Sequence, residues 1–256
     1  MQVDIAVIMV VRNEEEQIRE CLATVSWADE IIIIDQSSTD STVRITREFT
    51  DNVFIAEPKG YCEPDRNLAI KKASSRWIFY IDADERVSPE LKDEILSIVR
   101  SDDPRPAYYV KRKNYFLGKW IKTCDWYPSP VLRLFKKGEV IFPDAIHQVP
   151  PHRKEYGYLK NDLIHYSYGN LEEYFEKFNR YTTQLAKEDF QAGKRITVFN
   201  FIPNFLLRPS YYFLLRYIYY KGYRDGFRGF FIAFSSALTV FVNKAKLWQM
   251  KWKEIR

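Results

Sequence analysis

Trp77 to Arg86, WIFYIDADER, constrains what this chain can fold into more than any other stretch. Trp77, Ile78, Phe79, Tyr80 and Ile81 are the aromatic and β-branched residues of a buried strand, so Asp82 and Asp84 fall at its carboxyl end. In open α/β sheets ligands bind at that end. Side chains alternate along a strand, which turns Asp82 and Asp84 to one side and Ala83 to the other. Two carboxylates so placed can hold a hard cation, Mg²⁺ or Mn²⁺, against the phosphate oxygens of a substrate. The same two residues would also serve to open a turn before the helix that Ser88 and Pro89 announce, so the rest of the sequence has to decide between the readings.

The first hundred residues alternate strand and helix. Val3 to Val11 is nearly continuous apolar sequence, as in a parallel strand covered on both faces. Asn13 and Glu16 have the spacing of a capping box, and Ile18, Cys21, Leu22 and Val25 follow on one helical face. Ile31 to Ile34 is a second buried strand ending at Asp35, and a Ser/Thr/Asp-rich loop leads into another helix. Val53 to Ala56 is a short third strand, followed by a helix from Pro64 and Asp65. Trp77 to Ile81 is the fourth, and Ser88 with Pro89 starts the next helix. This order predicts an α/β fold with a mostly parallel sheet flanked by helices.

Beyond Ser101 to Pro106 the pattern changes. Tyr108 to Leu117, Val131 to Phe135, Val140 to Phe142 and Tyr158 to Tyr168 are predicted strands, the middle two forming a hairpin through Lys136 to Glu139. The expected organisation is one catalytic domain over 1–168, with a ligand-binding half over 1–100 and a second half over 101–168. A helical extension over 169–256 follows, starting with the stripe Leu171, Tyr174, Phe175, Phe178, Tyr181 and Leu185 and stopped by Gly193.

With 256 residues and 46% hydrophobic content, the chain can build a sizeable core, which excludes a disordered protein. Cys21, Cys62 and Cys124 are an odd number without C-x-x-C spacing, which suggests a reducing cytoplasm and no structural zinc. The first residues read as a strand and not as a signal peptide. A net charge of +5 with 16% aromatic residues suits an anionic ligand or an anionic membrane surface. No nucleic-acid motif accompanies it. Tyr211 to Tyr223 and Phe230 to Val242 are aromatic and apolar, followed by Lys244, Lys246, Trp248 and Lys251. The apolar part falls short of the ~20 residues of a spanning helix and predicts a basic, aromatic pair of helices lying on a membrane surface. A cap packed on the sheet or a dimer interface is the alternative.

The motifs VVRNEEEQIRECL, WADEIIIIDQSSTDST, KGYCEPDRNLAI, WIFYIDADERVSPEL, NYFLGKWI, VLRLFKKG and AKLWQ together resemble, in order and spacing, bacterial family 2 glycosyltransferases of the lipopolysaccharide core β-glucosyltransferase type. The resemblance implies a GT-A fold and inverting transfer of a sugar, glucose by the family's habit, from a nucleoside diphosphate donor such as UDP-glucose. It implies a lipid-linked or lipopolysaccharide-core saccharide as acceptor, and work at the inner face of the plasma membrane. Carried over by position, Val11, Arg12 and Glu14 resemble the loop that meets base and ribose. Asp35 resembles the carboxylate that reads the base, and Arg66 the arginine against the diphosphate. Asp82 is similar to the residue toward ribose or metal, and Asp84 to the metal ligand.

This chain departs from those relatives where they often carry an aspartate after W-Y-P and a glutamate after histidine, since Ser129 and Gln148 stand there. A glutamine cannot take a proton, so Asp144, Asp125 and His147 are the candidates for the catalytic base. Asp144 is placed first, as a carboxylate just after a predicted strand. A non-catalytic binding or scaffold protein of the same fold is the alternative from another class. A sugar nucleotidyltransferase fits less well, because the first loop has no glycine to wrap a triphosphate. Homo-oligomerisation is left open.

Overall fold

In the computed structural model, residues 4–59, 63–101, 103–143 and 150–254 are described. They belong to two units, one of residues 1–113 with 129–165 and the other of 114–128 with 166–256.

The first unit is built on β1 (Ile5–Val11), whose seven residues are all buried, as a strand covered on both faces requires. β2 (Glu30–Asp35), β3 (Val53–Ile55) and β4 (Trp77–Tyr80) run parallel to it in the order β3-β2-β1-β4. α1 (Ile18–Val25) buries Ile18, Cys21, Leu22 and Val25, the face its spacing predicts. α3 (Glu63–Lys72), which follows the short α2 (Thr42–Thr46), puts Ala69 and Ile70 on the opposite side of the sheet, with Tyr80 and Phe135. α4 (Pro89–Arg100) opens as expected, with Ser88 Oγ accepting from the Leu91 N–H at 3.2 Å.

From β4 the sheet turns antiparallel. β8 (Ser129–Lys136) pairs with β4, and β6 (Ala107–Phe116) with β8. β9 (Gly157–Tyr168) follows β6, and β5 (Glu85–Val87) pairs with β9, so that Glu85 lies opposite His165. β5 leaves β4 after only four residues yet ends the strand order, so the sheet curls back on the turn that joins them. The two-residue β7 (Lys119–Trp120) pairs with β6.

Two local expectations are corrected. Val140 to Phe142 is not a strand. Asn67 holds that backbone instead, its side chain accepting from Phe142 N–H at 3.0 Å and donating to Phe142 O at 2.7 Å, while the Phe142 ring packs on Tyr80 and Phe135. With both of its backbone groups already paired, Phe142 has nothing left for a ladder. Nor does Asn13 cap α1, which begins five residues later. Asn13 adopts the left-handed conformation (φ 55°) that asparagine tolerates, and its side-chain Oδ1 accepts from Thr39 N–H at 2.8 Å.

The second unit contains α5 (Leu171–Gln191), α6 (Arg208–Leu214) and α7 (Phe227–Glu254), with one-turn helical segments between them. Gly193 (φ +76°) ends α5 as predicted. Phe116 sits among Trp126, Tyr168, Tyr174 and Phe231. Lys244 pairs with Asp189 at 2.5 Å, tying α7 to α5. α7 is one continuous helix, so the short apolar run expected from sequence is part of a longer element. Its Phe227–Met250 portion, with mean hydropathy 1.3, is long and apolar enough to cross a membrane by length and composition alone.

Candidate active site

The loops after β1 and β2 are fastened to one another at the carboxyl ends of their strands. Val11 and Asp35 are register partners, and Gln36 N–H donates to Val11 O at 2.9 Å. Asp35 is fully buried and accepts from Ser38 N–H at 2.8 Å and Ser38 Oγ at 2.5 Å. Ser38 Oγ also accepts from Asn13 N–H at 2.9 Å, and Thr42 Oγ1 from Glu14 N–H at 2.8 Å. Arg12 projects outward from this rim. The Ser/Thr/Asp-rich loop therefore shapes a turn that carries Val11, Arg12, Glu14 and Asp35 together. Behind it Asp65 on α3 accepts from Gln36 at 2.7 Å and from Lys59 at 2.5 Å.

Arg66, one residue on, lays its guanidinium 4.8 Å from the centre of the Tyr80 ring and 5.5 Å from that of Phe142. Arg133 from β8 covers the same Tyr80 ring at 4.5 Å. Two cations thus flank the last residue of β4, each within reach of Asp82.

Five strands and one turn converge there. Asp82 accepts from the Tyr80 hydroxyl and from Arg133. Arg133 also donates to Glu85 at 2.6 Å, and Arg112 on β6 approaches Glu85 at 3.9 Å. Glu85 Oε2 accepts from Asp82 N–H at 3.0 Å, closing the turn. Asp84 Oδ2 lies 3.4 Å from His165 Nε2 on β9. Burial works to raise the Asp82 pKa, but Arg133 and Arg66 outweigh it and hold the carboxyl far below the usual range. Glu85, wholly buried, is pushed upward by burial and by Asp82, against the opposing pull of Arg133. Cys21 on α1 donates to Asp82 O at 3.4 Å, and burial pushes its thiol well above the reactive range.

These shifts have opposite signs in stability. A carboxyl held low when folded contributes stability that is present above its ordinary value of 3.8 and is lost as the pH falls. Glu85, held high, contributes in the other direction, losing stability as the pH rises through its range. Asp82→Asn is therefore expected to lower unfolding free energy at neutral pH and to flatten its decline below about pH 4. Urea titrations across that range check this, and an unchanged acid limb would show that Asp82 carries none of it.

The residues present fit a divalent ion in part. Asp84 and His165 offer an oxygen and a nitrogen donor of the kinds that Mn²⁺ accepts, and diphosphate oxygens ordinarily complete such a shell. Asp82, expected to share the metal, has its carboxylate engaged by Arg133 and Tyr80. No group of three or more His, Cys, Asp and Glu side chains gathers as a ready-made metal cage among the described residues.

Of the candidate bases, Asp144 and His147 lie outside the described residues, and Asp125 is an exposed residue of the second unit. Sequence reasoning gave no role to Glu85, Arg112, Arg133 or His165. The readable signal for two of them was a charge where a strand should be apolar: Glu85 directly after the aspartates, and Arg133 inside VLRLF.

Residues 6–148 match the family described as glycosyl transferase family 2. The chain belongs to that family. This glycosyltransferase is 28% identical over 245 residues to the lipopolysaccharide core biosynthesis glycosyltransferase LpsC of Rhizobium meliloti (strain 1021), covering 93% of this chain and 89% of that protein. An uncharacterized glycosyltransferase of Rickettsia typhi (strain ATCC VR-144 / Wilmington) is also 28% identical, over 97% of this chain and 88% of its own. Among solved structures, S. aureus TarS superimposes with a TM-score of 0.50 at 13% identity, over 91% of this chain and 55% of that one. That likeness concerns the fold, which is of the GT-A type: a mixed, mostly parallel sheet with flanking helices and further helices at the C-terminal end.

Proposed function

We propose that this glycosyltransferase moves glucose, with inversion, from UDP-glucose to a lipid-linked or lipopolysaccharide-core saccharide at the cytoplasmic face of a membrane, using Mg²⁺ or Mn²⁺. The observation that carries the donor half is the convergence of Asp82, Asp84, Arg66 and Arg133 at the end of β4, in the same unit as the fastened β1 and β2 loops. Support for the acceptor class comes from the name of the Rhizobium relative.

In this reading the loop of Val11, Arg12 and Glu14 meets the nucleoside, and Asp35 sets the shape of the turn beside it. Asp84 and His165 would hold the divalent ion, whose chemistry there would be to offset the negative charge of the diphosphate. Arg66 answers the same charge from the protein side. Asp82, kept ionised, fixes Arg133 and the β4–β5 turn so that Asp84 is presented in one orientation. Asp144 is the proposed base for the acceptor hydroxyl.

Thermal-shift screening of nucleotide sugars with Mn²⁺, followed by transfer assays on membrane extracts, tests the reading. UDP-glucose should stabilise the protein more than other nucleotide sugars, in a metal-dependent way. A preference for another donor would overturn the glucose assignment. Stabilisation without any transfer or donor hydrolysis would favour a binding protein of this fold.

A further inference from the structure

The second unit turns apolar side chains outward at helical spacing. Leu207, Tyr211, Leu214 and Ile218 recur every three or four residues through α6 and its flanking turns, and each is more than half exposed. In a helix on a water-soluble protein such a stripe faces the core. Here the core side of α6 is made by other residues, with Phe213 and Tyr217 packing on Phe230 of α7 at 6.0 and 5.9 Å between ring centres. The outward stripe is therefore additional to the packed face. Upstream, Val198 and Phe199 are also 84% and 93% exposed. Exposed apolar side chains in this number mark an interface.

Charge identifies the occupant. Between residues 194 and 230 there are seven Lys and Arg and a single acid, Asp225. Asp225 is buried, accepting from Lys122 N–H, Thr123 N–H and Thr123 Oγ1 at 3.1, 3.2 and 2.7 Å, so it offsets little at the surface. Lys194, Arg208, Lys221 and Arg224 are exposed. A second copy would bring the same basic set against itself, whereas an anionic surface complements it. Apolar and aromatic groups beside Lys and Arg are what an in-plane interfacial helix needs.

We infer that α6 and the segment before it, residues 198–218, dock in the plane of an anionic lipid bilayer, with Phe199 and the Leu207–Ile218 stripe entering the acyl boundary. The inference does not depend on which sugar or acceptor the protein uses.

Flotation of the full chain with vesicles of phosphatidylcholine alone, or mixed with phosphatidylglycerol, tests it. The protein should float with the anionic vesicles, bind the zwitterionic ones weakly, and be released by high salt. The double variant Leu214→Gln, Ile218→Gln changes exposed side chains, so its circular dichroism should match the parent while its partitioning falls about tenfold or more. Equal flotation of variant and parent overturns the inference, as does binding that ignores lipid charge. Retention through high salt and carbonate would point to α7 spanning the bilayer. Sedimentation showing a dimer that the variant abolishes, without lipid binding, would assign the face to a second copy.

Discussion

Asp84→Asn is expected to cut sugar transfer about 1,000-fold, roughly 4 kcal/mol of barrier, with little change in melting temperature. The amide keeps the shape of the side chain but carries no charge, and a divalent ion held by few protein ligands depends on that charge. His165, 3.4 Å away, remains and cannot replace a carboxylate in neutralising the ion. Calorimetric titration of UDP with and without Mn²⁺ separates the steps: the metal-dependent part of the affinity should vanish, leaving the contribution of the nucleoside loop. Unchanged affinity at saturating Mn²⁺ would take Asp84 out of the metal site and return the turn to a structural role.

Arg133→Met should cost about 3–5 kcal/mol of folding free energy, because it strands the buried Glu85, left with Arg112 at 3.9 Å, and deprives Asp82 of one of its two guanidinium neighbours. The Arg133 side chain is 5% exposed and that of Glu85 is 0% exposed. The contrast is with Arg19 and Glu48, 2.6 Å apart but 50% and 42% exposed, where solvent screens the pair and its loss should cost far less. Combining Arg133→Met with Glu85→Gln removes the stranded charge, so the double variant should recover part of the loss. Urea denaturation of both singles and the double gives the coupling directly. A single-variant cost near that of the exposed pair would mean that the cluster is more open to water than its geometry indicates.

The parallel half of the fold was readable because β1, β2 and β4 are apolar on both faces and the Ser88-Pro89 start is a local signal. The antiparallel half was readable only in outline. Glu85–Val87 contains two charged residues and becomes a strand only because β9, far along the chain, pairs with it. Val140 to Phe142 has the composition of a strand, yet Asn67 on α3 takes the hydrogen bonds a partner strand would need. The same distinction holds at the site. Asp82, Asp84 and Arg66 were recognisable from their motifs, since the chemistry demands those residue types at those places. What Asp82 touches was not, because Arg133 lies 51 residues away and meets it only through the curl of the sheet.

That curl also governs how the protein behaves when crowded. The two outermost strands, β3 and β5, are three residues each. Such stubs expose too few unpaired amides to template a foreign strand, and on β9 beside β5 the Lys160 and Asn161 N–H groups are taken by Glu94, so ladder growth has little to begin on there. Concentrated preparations should accordingly resist irreversible sheet extension.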